Sequence, residues 1–367
     1  MDVEPHREAS SALPSMARSE TSSPGWTSEF CTSAAEEYMR TPLCQRLGIE
    51  VPIIQAPLGG AVGPTLAAAV SNAGGLGMLV PWRADLDTVR RQIRETRELT
   101  GRPFGVNLNL DFPQEERLAV CLEERVPVIS FFWRDPSPLI SRAKAGGAAV
   151  LHSVGSVAEA RRAVDCGVDV VVAQGWEAGG HVRGTVATLP LVPSVIDAVA
   201  PTPVVAAGGI ADGRGLAAVL ALGADAAWIG TRFLASTEAA IHPHYRERVL
   251  QASAADTVYL ENLFDRGWEN APHRVLRNRT VEQWEAAGRP AFGQRPGEGE
   301  AIARSSAGAP VVRYQAHTPG AGTEGEIEEL PMWVGQSVGL VSKLQPAAEI
   351  VREIVDEADT ILRRLGR

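Results

Sequence analysis

The feature that most constrains this chain is an alternation repeated eight times between residues 52 and 229. Short apolar runs of strand length are separated by stretches of helical length. Pro52–Ala56, Gly77–Val80, Phe104–Leu108, Val126–Phe132, Ala148–His152, the run at Val170–Val172, Pro203–Ala207 and Ala226–Ile229 read as strands. Thr65–Ala73, Leu86–Leu99, Glu115–Glu124, Pro138–Ala145, Val157–Cys166, Leu191–Val199 and Gly215–Leu222 read as the helices between them. Strands without a polar face are buried on both sides. Parallel neighbours need a crossover, and every gap contains one. Eight strand–helix units in a row predict an α/β fold, a TIM (β/α)8 barrel. The rival, a doubly wound open sheet, rarely carries eight regular units.

The alternation lapses after the eighth strand. From about Ala240 to Leu330 the chain is richer in aromatic and charged residues, with a glycine-rich patch at Gly293 to Gly299. Helical patterns return over Val334–Leu344 and Ala347–Leu365, the latter with Ile350, Ile354, Ala358 and Leu362 on one face. The expected organisation is a disordered tail over 1–40, a barrel over 41–238, an inserted substrate or lid domain over 239–331, and C-terminal helices over 332–367 that complete the barrel. The tail is rich in Ser, Glu and Pro and lacks the apolar core of a signal peptide. No apolar run reaches membrane-spanning length. A net charge of −9 argues against a nucleic-acid partner. Cys31, Cys44, Cys121 and Cys166 show no metal-ligand spacing, which suits a reducing cytoplasm.

Chemistry in such a barrel sits at the C-terminal ends of the strands. After the sixth strand comes a loop with Gln174, Glu177, Gly179, Gly180, His181 and Gly184. Its glycines let backbone approach a ligand, and His181 can exchange protons near neutral pH. Glu177 reads as a residue that orients the loop. Gly208 and Gly209 follow the seventh strand and open a helix; Gly230 and Thr231 follow the eighth. Together these turns form the usual phosphate site of such barrels, with backbone N–H groups and a helix N-terminus facing the anion. Ala56, Pro57 and Leu58 can lie along a flat ring, and Asn107 and Gln174 can bond its edge. One phosphate and one ring over the mouth describe FMN; the plain alternative is that the glycines only make tight turns. His242 and His244 look like a metal pair, but no third ligand is evident, so they read as loop caps and no metal is expected. Trp268, Trp284 and Trp333 read as core or interface residues, with Trp333 a wall of the substrate pocket. Cys166 lies away from the rim, against covalent cysteine catalysis.

These residues carry a resemblance. Pro52-Ile-Ile-Gln-Ala-Pro57, Ala69-Val-Ser-Asn-Ala-Gly-Gly-Leu-Gly77, Gly105-Val-Asn-Leu108, Ala173-Gln-Gly-Trp-Glu-Ala-Gly-Gly-His181, Ala206-Ala-Gly-Gly-Ile-Ala-Asp-Gly-Arg-Gly215 and Ile229-Gly-Thr-Arg-Phe233 occur in this order. The chain, over roughly 42–344, resembles the nitronate monooxygenase family, formerly the 2-nitropropane dioxygenases, itself similar to FMN-dependent enoyl-ACP reductases. The resemblance implies that His181 is the active-site histidine. It implies that Ala56, Pro57, Leu58, Asn107, Gln174, Gly179, Gly209, Trp228, Ile229, Gly230 and Thr231 bind FMN, beside the Gly208 turn. Some members carry a Lys after the strand-5 His; here Ser153 follows His152. The implied reaction turns an alkyl nitronate, or a nitroalkane, and O2 into a carbonyl compound and nitrite. The partners are then a small molecule and O2, with neither nucleic acid nor membrane, and a homodimer is compatible. His181 is either a neutral base or a protonated donor to the nitro group. Two other readings stand: an NAD(P)H-dependent reductase of enoyl thioesters or quinones, which the acidity disfavours, and a non-catalytic flavin binder, which has no need of His181.

Overall fold

The computed structural model describes residues 39–366, so the expected tail falls almost wholly outside the described residues. Eight parallel strands form the central sheet. They are β1 (Ile53–Gln55), β2 (Gly77–Leu79), β3 (Phe104–Asn109), β4 (Val128–Phe132), β5 (Ala149–Val154), β6 (Val170–Gln174), β8 (Val204–Ala207) and β9 (Ala226–Ile229), with a two-residue β7 (Gly180–His181) outside it. Their order is β1-β9-β8-β6-β5-β4-β3-β2. A parallel bridge between Ile54 and Leu76 closes the ring, and Gln55 N–H and Leu76 N–H each donate across it at 2.9 Å. The expected (β/α)8 barrel is present, with a helix in every expected crossover.

Period-two alternation sorts the strand residues into two layers. Val170 and Val172, Val205 and Ala207, and Ala226 and Trp228 pack inside with Ile54, Met78 and Leu151. Val171, Ala173, Val204, Ala206, Ala227 and Ile229 pack beneath the helices. The barrel also has a floor, helix α1 (Pro42–Leu47). Leu43, Cys44, Leu47 and Ile49 join the interior cluster. Thr41 caps α1 and donates its hydroxyl to Asp225 O (2.7 Å), and Arg46 pairs with Asp169, both at the N-terminal ends of strands.

Beyond β9 the chain builds two small antiparallel sheets. One joins β10 (Thr257–Leu260), β11 (His273–Leu276) and β7; the other joins β12 (Ala301–Arg304), β13 (Pro310–Val312) and β14 (Glu324–Gly325). Leu260, Leu263, Phe264, Val275, Val281 and Tyr314 form a separate apolar cluster there. The C-terminal helix Ala347–Leu365 buries Ile350, Ile354 and Ala358 as expected, with Leu362 half-buried. It packs so closely on Gly213–Ala221 that a side chain at Gly213 would sit 2.5 Å from Ala358 N. The helix expected over Val334–Leu344 is instead a 3-10 turn, Gln336–Leu340. Gly335 and Gly339 interrupt it, and Gly335 N–H is spent on Thr231 Oγ1 (2.9 Å). No described helix is long and apolar enough to cross a membrane.

Floor and mouth lie at opposite ends. Leu43→Ala, at a side chain 1% exposed, should cost about 2–5 kcal/mol of stability. Ligand binding at the mouth should survive. Denaturant unfolding and binding measured on the same variant check both.

Candidate active site

A cavity of about 630 Å³ opens at the C-terminal ends of the strands, a size ordinary for small-molecule sites. Ala56, Pro57, Leu58, Asn107, Gln174, Gly179, His181, Gly208, Gly209, Trp228, Gly230 and Thr231 all line it. Of the residues expected there, Ile229 alone is turned away: its side chain packs in the outer layer, and its carbonyl accepts from Ala56 N–H (2.8 Å).

The anion cradle differs from expectation in one respect. Gly208 and Gly209 have φ of +102° and +73°, a region open mainly to glycine. The N–H groups of Gly209 and Ile210 find no protein acceptor among the described residues. The helix that follows, however, is already capped by carboxylates. Asp212 accepts from Gly215 N–H (3.2 Å) and Glu357 from Gly213 N–H (2.7 Å). Two N–H groups of its first turn are therefore already taken, which leaves the turn before it and the Gly230–Thr231 turn as the freer donors. The two amide side chains are also half committed. Asn107 donates to Ser130 (3.2 and 3.3 Å), and Gln174 donates to His181 O (3.0 Å). Asn107 has its oxygen left for a ligand, and Gln174 its oxygen and one N–H.

His181 is held by the fold on every side. Gly180 and His181 pair antiparallel with Arg274 and His273, and Val182 N–H donates to Pro272 O (2.8 Å). Behind the loop, a side chain at Gly179 would meet Gly335 N at 2.3 Å, so glycine is required by a close backbone approach. Glu177 accepts from Thr188 N–H (2.9 Å) and hydroxyl (3.0 Å), capping a helix with its carboxylate. It orients the loop, as its position suggested. The imidazole lies 3.7 Å from the Trp268 ring centre, 5.0 Å from Trp333, 5.7 Å from His273 and 6.3 Å from Trp133. Its Nε2 is buried without a partner. This enclosure, with the nearby His273 and Arg83, drives the pKa of His181 well below 6.5. Burial disfavours the charged form, so His181 is neutral at pH 7.

Several residues at the wall or packed behind it carried no motif. Trp82 follows β2 and Trp133 follows β4, both at strand ends where such residues are to be sought. Trp133 is buried with φ of +69°, a costly conformation for a bulky residue, wedged against Phe132 and Trp268. Trp268 and Trp333 arrive from distant sequence and line the cavity, Trp333 as expected, while His273, which no local signal marks, pairs with His181 from behind the wall. Trp284 stays in the small cluster beyond β9. His242 caps the helix Pro243–Gln251, accepting from His244 N–H through Nδ1 (3.1 Å), and His244 meets Glu328 at 2.7 Å.

Comparison with known proteins agrees with this fold. The chain is an enzyme of the flavin-dependent oxidoreductase class. The nitronate monooxygenase family model matches residues 40–118 and 112–357, and the chain belongs to that family. It is 34% identical to a nitronate monooxygenase of Paraburkholderia phytofirmans, covering 87% of this chain and 95% of that one. It is 41% identical over 68% of its length to a (3aS,4S,5R,7aS)-5-hydroxy-7a-methyl-1-oxo-octahydro-1H-indene-4-carboxyl-CoA dehydrogenase of Mycobacterium tuberculosis, covering 70% of that protein. The structure of FabK from Thermotoga maritima superposes with a TM-score of 0.76 at 38% identity, covering 89% of this chain and 98% of that one.

Two histidines give a test in pH. Burial lowers His152 and His273 to about 4. Unfolded, each takes up a proton near pH 6.5; folded, neither does until about pH 4. Stability is therefore full above pH 6.5 and lost on acidification, by about 1.4 kcal/mol per pH unit for each histidine. Urea unfolding at pH 7 and pH 5 should show this fall. Equal stability at the two values would contradict the burial argument.

Proposed function

We propose that the cavity holds FMN and that the chain oxidises alkyl nitronates with O2 to carbonyl compounds and nitrite. The observation that carries this reading is His181, an uncharged imidazole enclosed by tryptophan and lacking a partner at Nε2, at the same cavity as a free anion cradle. The unpaired N–H groups of Gly209 and Ile210 fit a phosphate, and Thr231 has its hydroxyl proton still to give, since its oxygen accepts from Gly335. Ala56–Leu58 would lie along the ring, and the oxygens of Asn107 and Gln174 would accept from its edge. Bound there, a flavin supplies the electron transfer between nitronate and O2.

The chain's own part is to bind the anion and hold a proton. A base with a depressed pKa has little drive to take a proton from carbon, which favours the preformed nitronate over the neutral nitroalkane. An anion entering beside His181 raises its pKa again. The imidazole can then take a proton and donate it, as a charge-assisted bond, to a nitro oxygen. Trp268 and Trp333 exclude water, which strengthens that bond. We read residues 239–331 as an inserted substrate lid between barrel segments 41–238 and 332–366, because it brings Trp268, His317 and Thr318 to the cavity. This is the reading of a cytoplasmic enzyme.

A second reading has one observation in its favour. The 41% identity to a dehydrogenase named for a carboxyl-CoA substrate exceeds the 34% to a nitronate monooxygenase. It makes the chain an oxidoreductase of CoA thioesters. Anaerobic mixing with a nitronate or with a reduced CoA thioester separates the two readings by which one bleaches the flavin.

Heat-released chromophore should have the mass of FMN. Gly209→Val forces a β-branched residue to φ +73° and a methyl group into the cradle, and should lower flavin content. Fully flavinated His181→Asn should lose about 10–100-fold in kcat/KM on the nitronate, chiefly through KM, as for a charged hydrogen bond. Unchanged kinetics would remove His181 from the mechanism.

A further inference from the structure

Apart from the residues used above, the cavity carries one cation with no counter-charge. Arg83 stands at the mouth, just after β2. Its guanidinium lies 4.6 Å from the ring centre of Trp82 and 4.7 Å from that of Phe112. One nitrogen donates to Gly267 O (2.5 Å). No carboxylate lies within ion-pair distance of it among the described residues. Its neighbours at the rim differ: Arg134 is paired with Asp111, and Arg183 with Glu159. A guanidinium has five N–H donors, so most of Arg83's capacity is unspent, in a chain whose net charge is −9.

Two more polar atoms on the cavity lining lack partners. Asn109 is 1% exposed, and its Oδ1 accepts from Asp111 N–H (3.0 Å), but its Nδ2 donates to nothing in the chain. His317 Nε2 is buried and equally unpartnered. Buried polar groups are nearly always satisfied. Two buried unsatisfied atoms, an amide donor and a ring nitrogen, share one cavity lining with an exposed guanidinium that has no carboxylate partner, and together they mark the place of a ligand atom that accepts. Arg83 is near enough to His181 to act on its charge, and rings line the wall between them. Trp82 lies 5.5 Å from Trp268, and Trp268 lies 3.7 Å from His181.

We propose that Arg83, Asn109 and His317 form a subsite for an oxyanion, a carboxylate or a phosphate ester, that the substrate carries away from its reacting carbon. The proposal rests on the cavity being the substrate site, as read above, and gives that substrate a second, anionic end. The planar fork of Arg83 suits either oxyanion through paired hydrogen bonds. Trp82 and Phe112 fix the orientation of the fork and keep water from its flanks.

The test is binding to the purified full-length enzyme. Acetyl-CoA and succinate are titrated separately, with tryptophan emission as the signal. One of them should bind the parent, more weakly as salt rises. Arg83→Met keeps the contact with the rings and should weaken that binding about tenfold or more. Arg83→Lys should recover part of the loss, because it restores charge without the fork. Binding of acetyl-CoA alone assigns a phosphate, and binding of succinate alone a carboxylate. Failure of both probes to bind the parent, or equal binding to Arg83→Met, overturns the subsite. Because the readout is affinity, it stands apart from nitronate turnover: either can fail while the other holds.

Discussion

The site depends on four residues of paired backbone, Gly180–His181 against His273–Arg274. Antiparallel pairing fixes both register and facing. A one-residue slip would turn the imidazole of His181 to the other face. The same register sets His273 beside His181, where burial keeps it neutral, with Nδ1 against Ala271 O (2.9 Å) and Nε2 accepting from Phe264 N–H (3.4 Å). Arg274 extends the hold: fully buried, it donates to Trp176 O (3.0 Å) with its guanidinium over the Trp176 ring. A loop from the barrel and a strand about 90 residues later thus make one small sheet, and His181 sits on it.

The barrel was legible because its signal is local. Each strand is a short β-branched run bounded by turn residues, each helix an apolar periodicity, and the order of the two dictates a parallel closed sheet. Strand-end residues were legible for the same reason, and eleven of the twelve expected ligand-binding positions face the cavity. Ile229 was misplaced because backbone position and side-chain facing alternate along a strand. The helix expected over Val334–Leu344 failed because its glycines serve tertiary contacts. The charge of His181 was not legible at all. It is set by Trp268, Trp333 and His273, whose sequence distance leaves no periodicity to read.

The glycines divide into two kinds that sequence cannot tell apart. Gly208 and Gly209 are needed for a left-handed backbone whose amides are left free. Gly179 and Gly335 are needed because two backbones touch, and neither offers anything to a ligand by that fact. A glycine-rich loop therefore overstates the number of ligand contacts, and part of its richness is packing.

Thr231 carries a consequence beyond its place in the cradle. Its hydroxyl oxygen takes the N–H of Gly335, while Gln336 N–H donates to Glu177 O (2.9 Å). Residues 335–336 thus bridge the last barrel strand and the His181 loop, like a staple closed from the far end of the chain. A ligand that needs Thr231 in place binds only the stapled form and stabilises it by mass action. Occupancy of the mouth and docking of the C-terminal segment are then one equilibrium. A lesion near the C-terminus, remote from any reacting atom, would be felt first as weakened ligand retention.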